Sequence, residues 1–433
     1  MMSNPWFCAT QASGRSTTMR PMTTSAFARA AAVLGALLLA GCMTVGDTPA
    51  PGDDDGTGSG GSSGTGSSGT GSGGTGSGTG TGTGGPAGRL RISGNKIVDD
   101  HGAPVRLTGV NWFGLETPNY APHGLWQRPM GAMLDQVKAL GFNVLRVPFS
   151  SQLFDAGSTP NGIDLTQNPD LAGKTGPEIL DLLIARAGER GLRVILDRHR
   201  PDSGAQSPLW YTAAYSEQRW IADWVMLAQR YQGNPTVVAF DLHNEPHAQA
   251  TWGDGSAATD WRLAAQRAGN AILGVDPDAL ILVEGVEVVA GNYYWWGGNL
   301  RGAMTAPVQL SAPGHVIYSP HEYPASIYPQ SWFSAPDYPA NLPALWDATW
   351  GGLAATAPVL IGEFGTKLAT AVDRKWLDSL THYIAAKGMS FTFWSLNPDS
   401  GDTGGILADD WVTVNQDKMA YLTPILAPLL PVH

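Results

Sequence analysis

VVAFDLHNE, residues 237–245, opens as an apolar, β-branched run and closes on polar groups. Such a profile suits a strand buried on both faces whose carboxyl end leaves the core. The same profile recurs on either side. It appears in VRLTGVNWF (105–113), NVLRVPF (143–149), LRVILDRH (192–199), LILVEG (280–285), HVIYSPHEY (315–323), PVLIGEF (358–364) and SFTFWSLN (390–397). Between these runs lie amphipathic stretches such as MGAMLDQVKALG (130–141), PEILDLLIARAGERG (177–191) and SEQRWIADWVMLAQRYQG (216–233), which read as helices. Eight strand–helix units predict an α/β chain folded as a single (β/α)8 TIM barrel over residues 89–433. A doubly wound open sheet is the competing architecture, but no glycine-rich phosphate loop follows the first strand.

The barrel reading gives the polar residues a place. Arg146, His199, Asn244, Glu245, His321, Tyr323, Glu363 and Trp394 all fall at or near the carboxyl ends of their strands, the rim where barrel enzymes do their chemistry. Glu245 and Glu363 close the fourth and seventh strands. Two carboxyl groups facing one another across a sugar-sized gap are what glycosidic hydrolysis requires, one to give a proton and one to meet the oxocarbenium-like carbon. Either glutamate alone reads equally well as a solvated loop carboxylate. Arg146 sits between Leu145 and Val147 and points inward, so its burial demands an anionic partner such as Glu363; a purely structural ion pair is the alternative. His321 and Tyr323 alternate along one strand end and share a face. In the charge-dense DRHRPD (197–202) His199 is assigned to the site, with Arg198 and Asp202 as supports. Trp394, beside Phe393 in an apolar strand, is assigned to the site, with core packing as the alternative.

FDLHNEPH (240–247) and IGEFG (361–365) resemble the acid/base and nucleophile segments of glycoside hydrolase family 5, the cellulase family. The likeness runs from about Val105 to Leu426 and includes LDRHRPD, YWWGGN, EFGT and FWSLNPDSGDTGGIL, similar to bacterial endo-β-1,4-glucanases. It implies a retaining hydrolase of β-1,4-glucan, with Glu245 as acid/base and Glu363 as nucleophile. It further implies that Asn244 binds the sugar 2-hydroxyl, Arg146 orients the nucleophile, and His199 and His321 line the cleaved-sugar subsite. Tyr323 would stand beside the nucleophile and Trp394 under the ring. A mannanase, xylanase or mixed-linkage glucanase with the same acids remains open, as does a non-catalytic polysaccharide-binding lipoprotein.

Fifteen of the sixteen tryptophans follow Gly88. Trp126, Trp210, Trp252, Trp295, Trp296 and Trp332 fall in apparent loops, suiting a cleft in which sugar faces stack on indoles. The family likeness selects Trp126 and Trp296 as outer platforms and Gln330 as a polar contact. HNEPH (243–247) is not a zinc helix, because its Glu is displaced and Pro246 forbids the helix. Asp399 to Thr403 reads as a turn rather than a calcium loop. No metal and no cofactor are expected. With a formal charge of −11, nucleic acid is a poor partner and a neutral or cationic substrate fits better; the family likeness implies a β-glucan partner, and a monomer is expected.

Both cysteines, Cys8 and Cys42, precede the catalytic region, so no disulfide is expected there. RPMTTSAFARAAAVLGALLLAGC (20–42) reads as a signal peptide. Its end, Leu39-Ala40-Gly41-Cys42, resembles the lipobox of bacterial lipoproteins, implying lipidation at Cys42 and an outer-membrane or cell-surface location; a signal peptide releasing a secreted protein is the alternative. Met19 or Met22 makes a more natural start than Met1. Residues 43–88, rich in Gly, Ser and Thr, read as a flexible linker with a typical reach of ~37 Å.

Overall fold

The computed structural model describes residues 88–432. Cys42, the expected signal segment and almost all of the expected linker lie outside the described residues. Among the described residues, no helix is long and apolar enough to cross a membrane.

Eight parallel strands form the centre: β1 (Thr108–Asn111), β2 (Val144–Ser150), β3 (Arg193–Arg200), β4 (Val237–Asp241), β5 (Ile281–Val283), β6 (Val316–Tyr318), β7 (Leu360–Ile361) and β8 (Ser390–Phe393). They pair in the order β6-β5-β4-β3-β2-β1-β8-β7. A parallel bridge from Tyr318 to Val359 joins the two ends, closing the expected TIM barrel.

The strands are shorter than the sequence predicts. The 237–245 run leaves the sheet after Asp241, and the runs around 315–323 and 358–364 break at Pro320 and Gly362. Beyond those breaks His321–Glu322 and Glu363–Phe364 pair again, with His321 opposite Glu363. The break therefore relocates two candidate residues onto a small second sheet at the rim.

Helices α1 (Met130–Ala139), α2 (Gly176–Glu189) and α3 (Glu217–Arg230) stop two or three residues before the predicted ends. Gly141, Gly191 and Gly233, which close the three predicted spans, have φ of 90°, 76° and 75°, a left-handed geometry that ends a helix. At the start of α2, Thr175 and Glu178 form a reciprocal capping box.

Side-chain alternation divides the strands into layers. Val144, Ile195, Ala239, Leu282, Ile317 and Leu360 point inward and pack together, with Leu90 and Ile97 of an N-terminal hairpin at the base. Their neighbours Leu145, Leu196, Phe240 and Val283 point outward into the larger core under the helices. Two residues beyond the inward apolar layer, the same strands present Arg146, Asp197, Asp241 and Glu284, all fully buried. An apolar plug thus carries a charged floor.

Candidate active site

Arg146 is the centre of that floor. Its Nη1 donates to Glu363 Oε1 at 2.7 Å and to Asn111 Oδ1 at 3.0 Å; Nε donates to Asp241 Oδ2 at 2.8 Å. Nη2 reaches Asn244 Oδ1 at 3.0 Å, Glu284 Oε1 at 3.2 Å and Asp197 Oδ2 at 3.2 Å. One guanidinium thereby meets four carboxyl groups, geometry that suits its planar fork. Burial disfavours its charge, but Asp197, Asp241, Glu363 and Glu284 outweigh burial and hold the proton firmly.

Glu363 has both oxygens engaged: Oε1 by Arg146, and Oε2 by the Tyr323 hydroxyl at 2.6 Å. Burial pushes its pKa up, but His321, Arg146, His199 and the Tyr323 hydrogen bond bring it down to about 2. The carboxylate is therefore anionic at neutral pH, aimed and unprotonated. Burial and the adjacent Glu363 push Tyr323 well above the usual phenol range, so it remains a donor.

Glu245 is placed differently. Its side chain is 13% exposed against 4% for Glu363, open to a group arriving from the cleft. Oε1 lies 3.0 Å from His321 Nδ1, and Oε2 accepts from Gln206 Nε2 at 3.1 Å. The backbone at Glu245 has φ 53°, a left-handed conformation uncommon for a side chain of this size. An oxygen of Glu245 and one of Glu363 lie within 4.8 Å of each other, with His321 between them.

The other predicted residues converge on this pair. His199 donates from Nδ1 to Asp197 Oδ2 at 2.7 Å and stacks on Trp394 at 5.3 Å. Trp394 also stacks on Phe113 at 5.4 Å and is half-buried, which sets aside simple core packing. Asn244 gives its oxygen to Arg146, while its buried Nδ2 finds no partner among the described residues. A buried donor left free in a cleft invites a substrate hydroxyl. Trp296 stacks on His247 with centroids 3.7 Å apart and adjoins Gly297, whose position abuts Glu245. Trp126, 38% exposed, joins a line of rings running from Trp394 through Phe113 and His123 and packs edge-on against Trp411. Gln330 starts a short 3-10 helix, Ser331–Ser334, and is not joined to this group by a hydrogen bond.

Two of the tryptophans assigned to loops, Trp210 and Trp295, are buried in the core; a loop position in sequence did not mean an exposed ring. Arg198, by alternation, points away from the barrel axis and donates to His243 and Ser151, a support as expected. His243 is fully buried and donates from Nε2 to the Ser207 carbonyl, while His247 donates to Glu245 O. Their separate partners leave no paired-histidine ligand set. Asp197, Asp241 and Glu284 are close enough together to hold a cation, and the Arg146 guanidinium supplies one.

Sequence reading did not single out Asp241, Glu284, Asn111 or Gln206. For Asp241 and Glu284 a signal existed, because each stands two residues after an inward aliphatic residue, as Arg146 does after Val144. Gln206 lies on the loop after β3 and carried no pattern that would have marked it.

A family model described as cellulase (glycosyl hydrolase family 5) matches residues 98–400. The chain belongs to glycosyl hydrolase family 5. Within the family, it is 56% identical over 352 residues to an endoglucanase of Paenibacillus polymyxa, covering 80% of this chain and 89% of that relative. It is 45% identical to the major extracellular endoglucanase of Xanthomonas campestris pv. campestris, covering 78% and 71%. The solved catalytic domain of the Xanthomonas enzyme superposes with a TM-score of 0.75 at 43% identity, covering 78% of this chain and 99% of that one. An endocellulase from Pyrococcus horikoshii, solved with cellotetraose, superposes at 0.74 with 40% identity, covering 79% and 100%.

Proposed function

We propose that this family 5 enzyme cuts β-1,4-glucosidic bonds within cellulose or a related β-glucan by double displacement, with Glu363 as nucleophile and Glu245 as acid/base. The observation that carries the assignment is the asymmetry of the pair. Glu363 is pinned by Arg146 and Tyr323 and held anionic. Glu245 is the more open of the two and contacts His321 and Gln206. The oxygens within 4.8 Å favour direct attack, since a retaining pair stands ~5–5.5 Å apart and an inverting pair leaves ~6.5–9.5 Å for a water.

In the first step Glu363 bonds to the anomeric carbon, the glycosidic C–O bond breaks, and the Glu245 proton passes to the leaving oxygen. Water then attacks the same carbon, Glu245 takes its proton, and Glu363 departs as carboxylate. The free Asn244 amide suits the sugar 2-hydroxyl, and Trp394 the sugar face. Trp126 and Trp296 extend the platform; Gln330 remains a proposed outer contact.

The relatives named endoglucanase support the substrate class. We extend the reading to an exported, monomeric enzyme whose catalytic domain (89–433) follows a linker (43–88) and a lipoprotein-type signal segment (1–42) ending at Cys42. The lipobox-like sequence supports the anchor, and the extracellular Xanthomonas relative supports export.

An early NMR time course on a short cello-oligosaccharide tests the chemistry. The β-anomer should appear first. Direct appearance of the α-anomer would remove Glu363 from the nucleophile's role.

A further inference from the structure

Glu284 belongs to no pair or motif that sequence singled out, yet it touches the machinery at three points. Its Oε2 accepts the Glu245 backbone N–H at 2.7 Å. Its Oε1 lies 3.2 Å from His321 Nε2, whose ring reaches Glu245 Oε1 from the opposite nitrogen at 3.0 Å. The same Oε1 accepts from Arg146 Nη2 at 3.2 Å.

From this geometry we propose that Glu284 is the positioning residue for the acid/base, fixing Glu245 from below by its backbone and from the side through His321. The inference rests on Glu245 being the acid/base.

The surroundings are built for that arrangement. Glu284 follows β5, and its carbonyl accepts the Trp261 indole N–H at 2.9 Å. Its carboxyl is fully buried. Gly297 supplies the space: a Cβ there would come within 2.3 Å of Glu284 Oε2 and 3.2 Å of Glu245 Cα, at φ 65°. The left-handed backbone at Glu245 points its N–H down to Glu284, so an uncommon conformation is held by a buried hydrogen bond to a carboxyl oxygen. Arg146 retains Asp197, Asp241 and Glu363 if Glu284 is changed, so the nucleophile keeps its clamp. Glu245 has no such reserve, since its other contacts are His321, itself paired to Glu284, and the Gln206 amide. Burial lowers His321, but Glu284 and Glu363 more than restore it and keep the ring protonated. Its Nδ1 faces Glu245 Oε1 at 3.0 Å, and its Nε2 stands 3.2 Å from Glu284 Oε1 as an ion-pair contact without an aligned hydrogen bond.

Glu284→Gln keeps the volume but turns an amide toward Arg146 and His321. Glu284→Asp keeps the charge and withdraws it by about one carbon–carbon bond, and a misplacement of ~1 Å can cost about 10²-fold in rate. Because the damage should fall on proton delivery, kcat/KM on a cello-oligosaccharide should drop ~10²-fold. On a dinitrophenyl cellobioside, whose leaving group departs unprotonated, the drop should stay under ~5-fold. Melting temperatures of both variants are read alongside. An equal loss on both substrates, or no loss, would overturn the proposal and leave Glu284 a structural group. Glu245→Gln is the reference. If it too falls equally on both substrates, the acid/base reading itself has failed, and this proposal with it.

Discussion

Replacing Arg146 removes the one guanidinium shared by four buried carboxyls, and the outcome can be worked from its contacts. Arg146→Met keeps much of the aliphatic volume but leaves Asp197, Asp241, Glu284 and Glu363 without their shared partner. Stranding a buried charge in this way typically costs ~3–5 kcal/mol. For a domain of this size that is roughly a 4–7 °C fall in melting temperature. Protonation is the cheaper escape, and burial already raises Asp241 and Glu284. Glu363 would follow, rising from about 2 as His321, His199 and Tyr323 are left to offset burial without Arg146. A protonated Glu363 does not attack, so the variant should lose activity at pH values where the parent is fully active. Arg146→Lys separates charge from geometry. It restores the cation but not the fork that reaches Glu363, Asp241 and Asn244 together, and should remain ~10²-fold slower. The assay is a pH profile of kcat/KM with thermal melting of parent and both variants. A stable Arg146→Met enzyme with near-parental activity and an unmoved acid limb would refute the account.

In the parent, Glu363 stays ionised until pH falls to about 2. Its depressed pKa contributes stability that is present above the ordinary carboxylate range and lost as pH falls through about 2. Any acid limb above pH 3 should therefore coincide with unfolding, followed by tryptophan fluorescence; a limb near pH 4.5 in native protein would contradict this. Glu363→Gln should abolish turnover on every substrate, measured by reducing-sugar release, whereas Glu245→Gln should accumulate glycosyl-enzyme on activated substrates, seen by mass spectrometry. Exhaustive chelation should leave activity unchanged, because the proposed steps use carboxylates alone; loss restored by calcium or zinc would reopen the acidic clusters. Cys42→Ser should move activity from the membrane fraction to the soluble one with kinetics unchanged, and identical fractionation would remove the lipid anchor.

The barrel was legible because its strands are buried on both faces and so read as apolar runs, eight times over. Strand ends were not, because hydrogen bonding rather than hydropathy decides them. The run at 237–245 offers apolar Leu242 beyond Asp241, yet the chain leaves the sheet after Asp241. Glu245 and Glu363 were found by family-like segments, whereas Glu284 lies in LILVEG, where its neighbours signal only a strand. Trp210 and Trp295 do lie in loops, yet hydrophobicity predicts contact but not with what, and both rings serve the core. Gln206 depends on where one loop folds back to Glu245, information that no local pattern carries.

The two catalytic roles require one carboxyl to stay charged and a neighbour within 4.8 Å to pass a proton back and forth. Two like charges so close would ordinarily push one pKa upward without choosing which. The floor beneath them makes the choice. Arg146 spends its strongest contact, 2.7 Å, on Glu363 and makes none of its hydrogen bonds to Glu245. His321 stands nearer Glu245, at 3.0 Å against 3.6 Å for Glu363. Glu363 is thus bound to a guanidinium that does not exchange its proton, and Glu245 to His321 and the Gln206 amide instead. The difference originates in strand alternation, because an inward residue two places after Val144 directs a fixed positive charge at Glu363 beyond the seventh strand, while at or beyond the end of the fourth it meets Asp241 and Asn244 rather than Glu245.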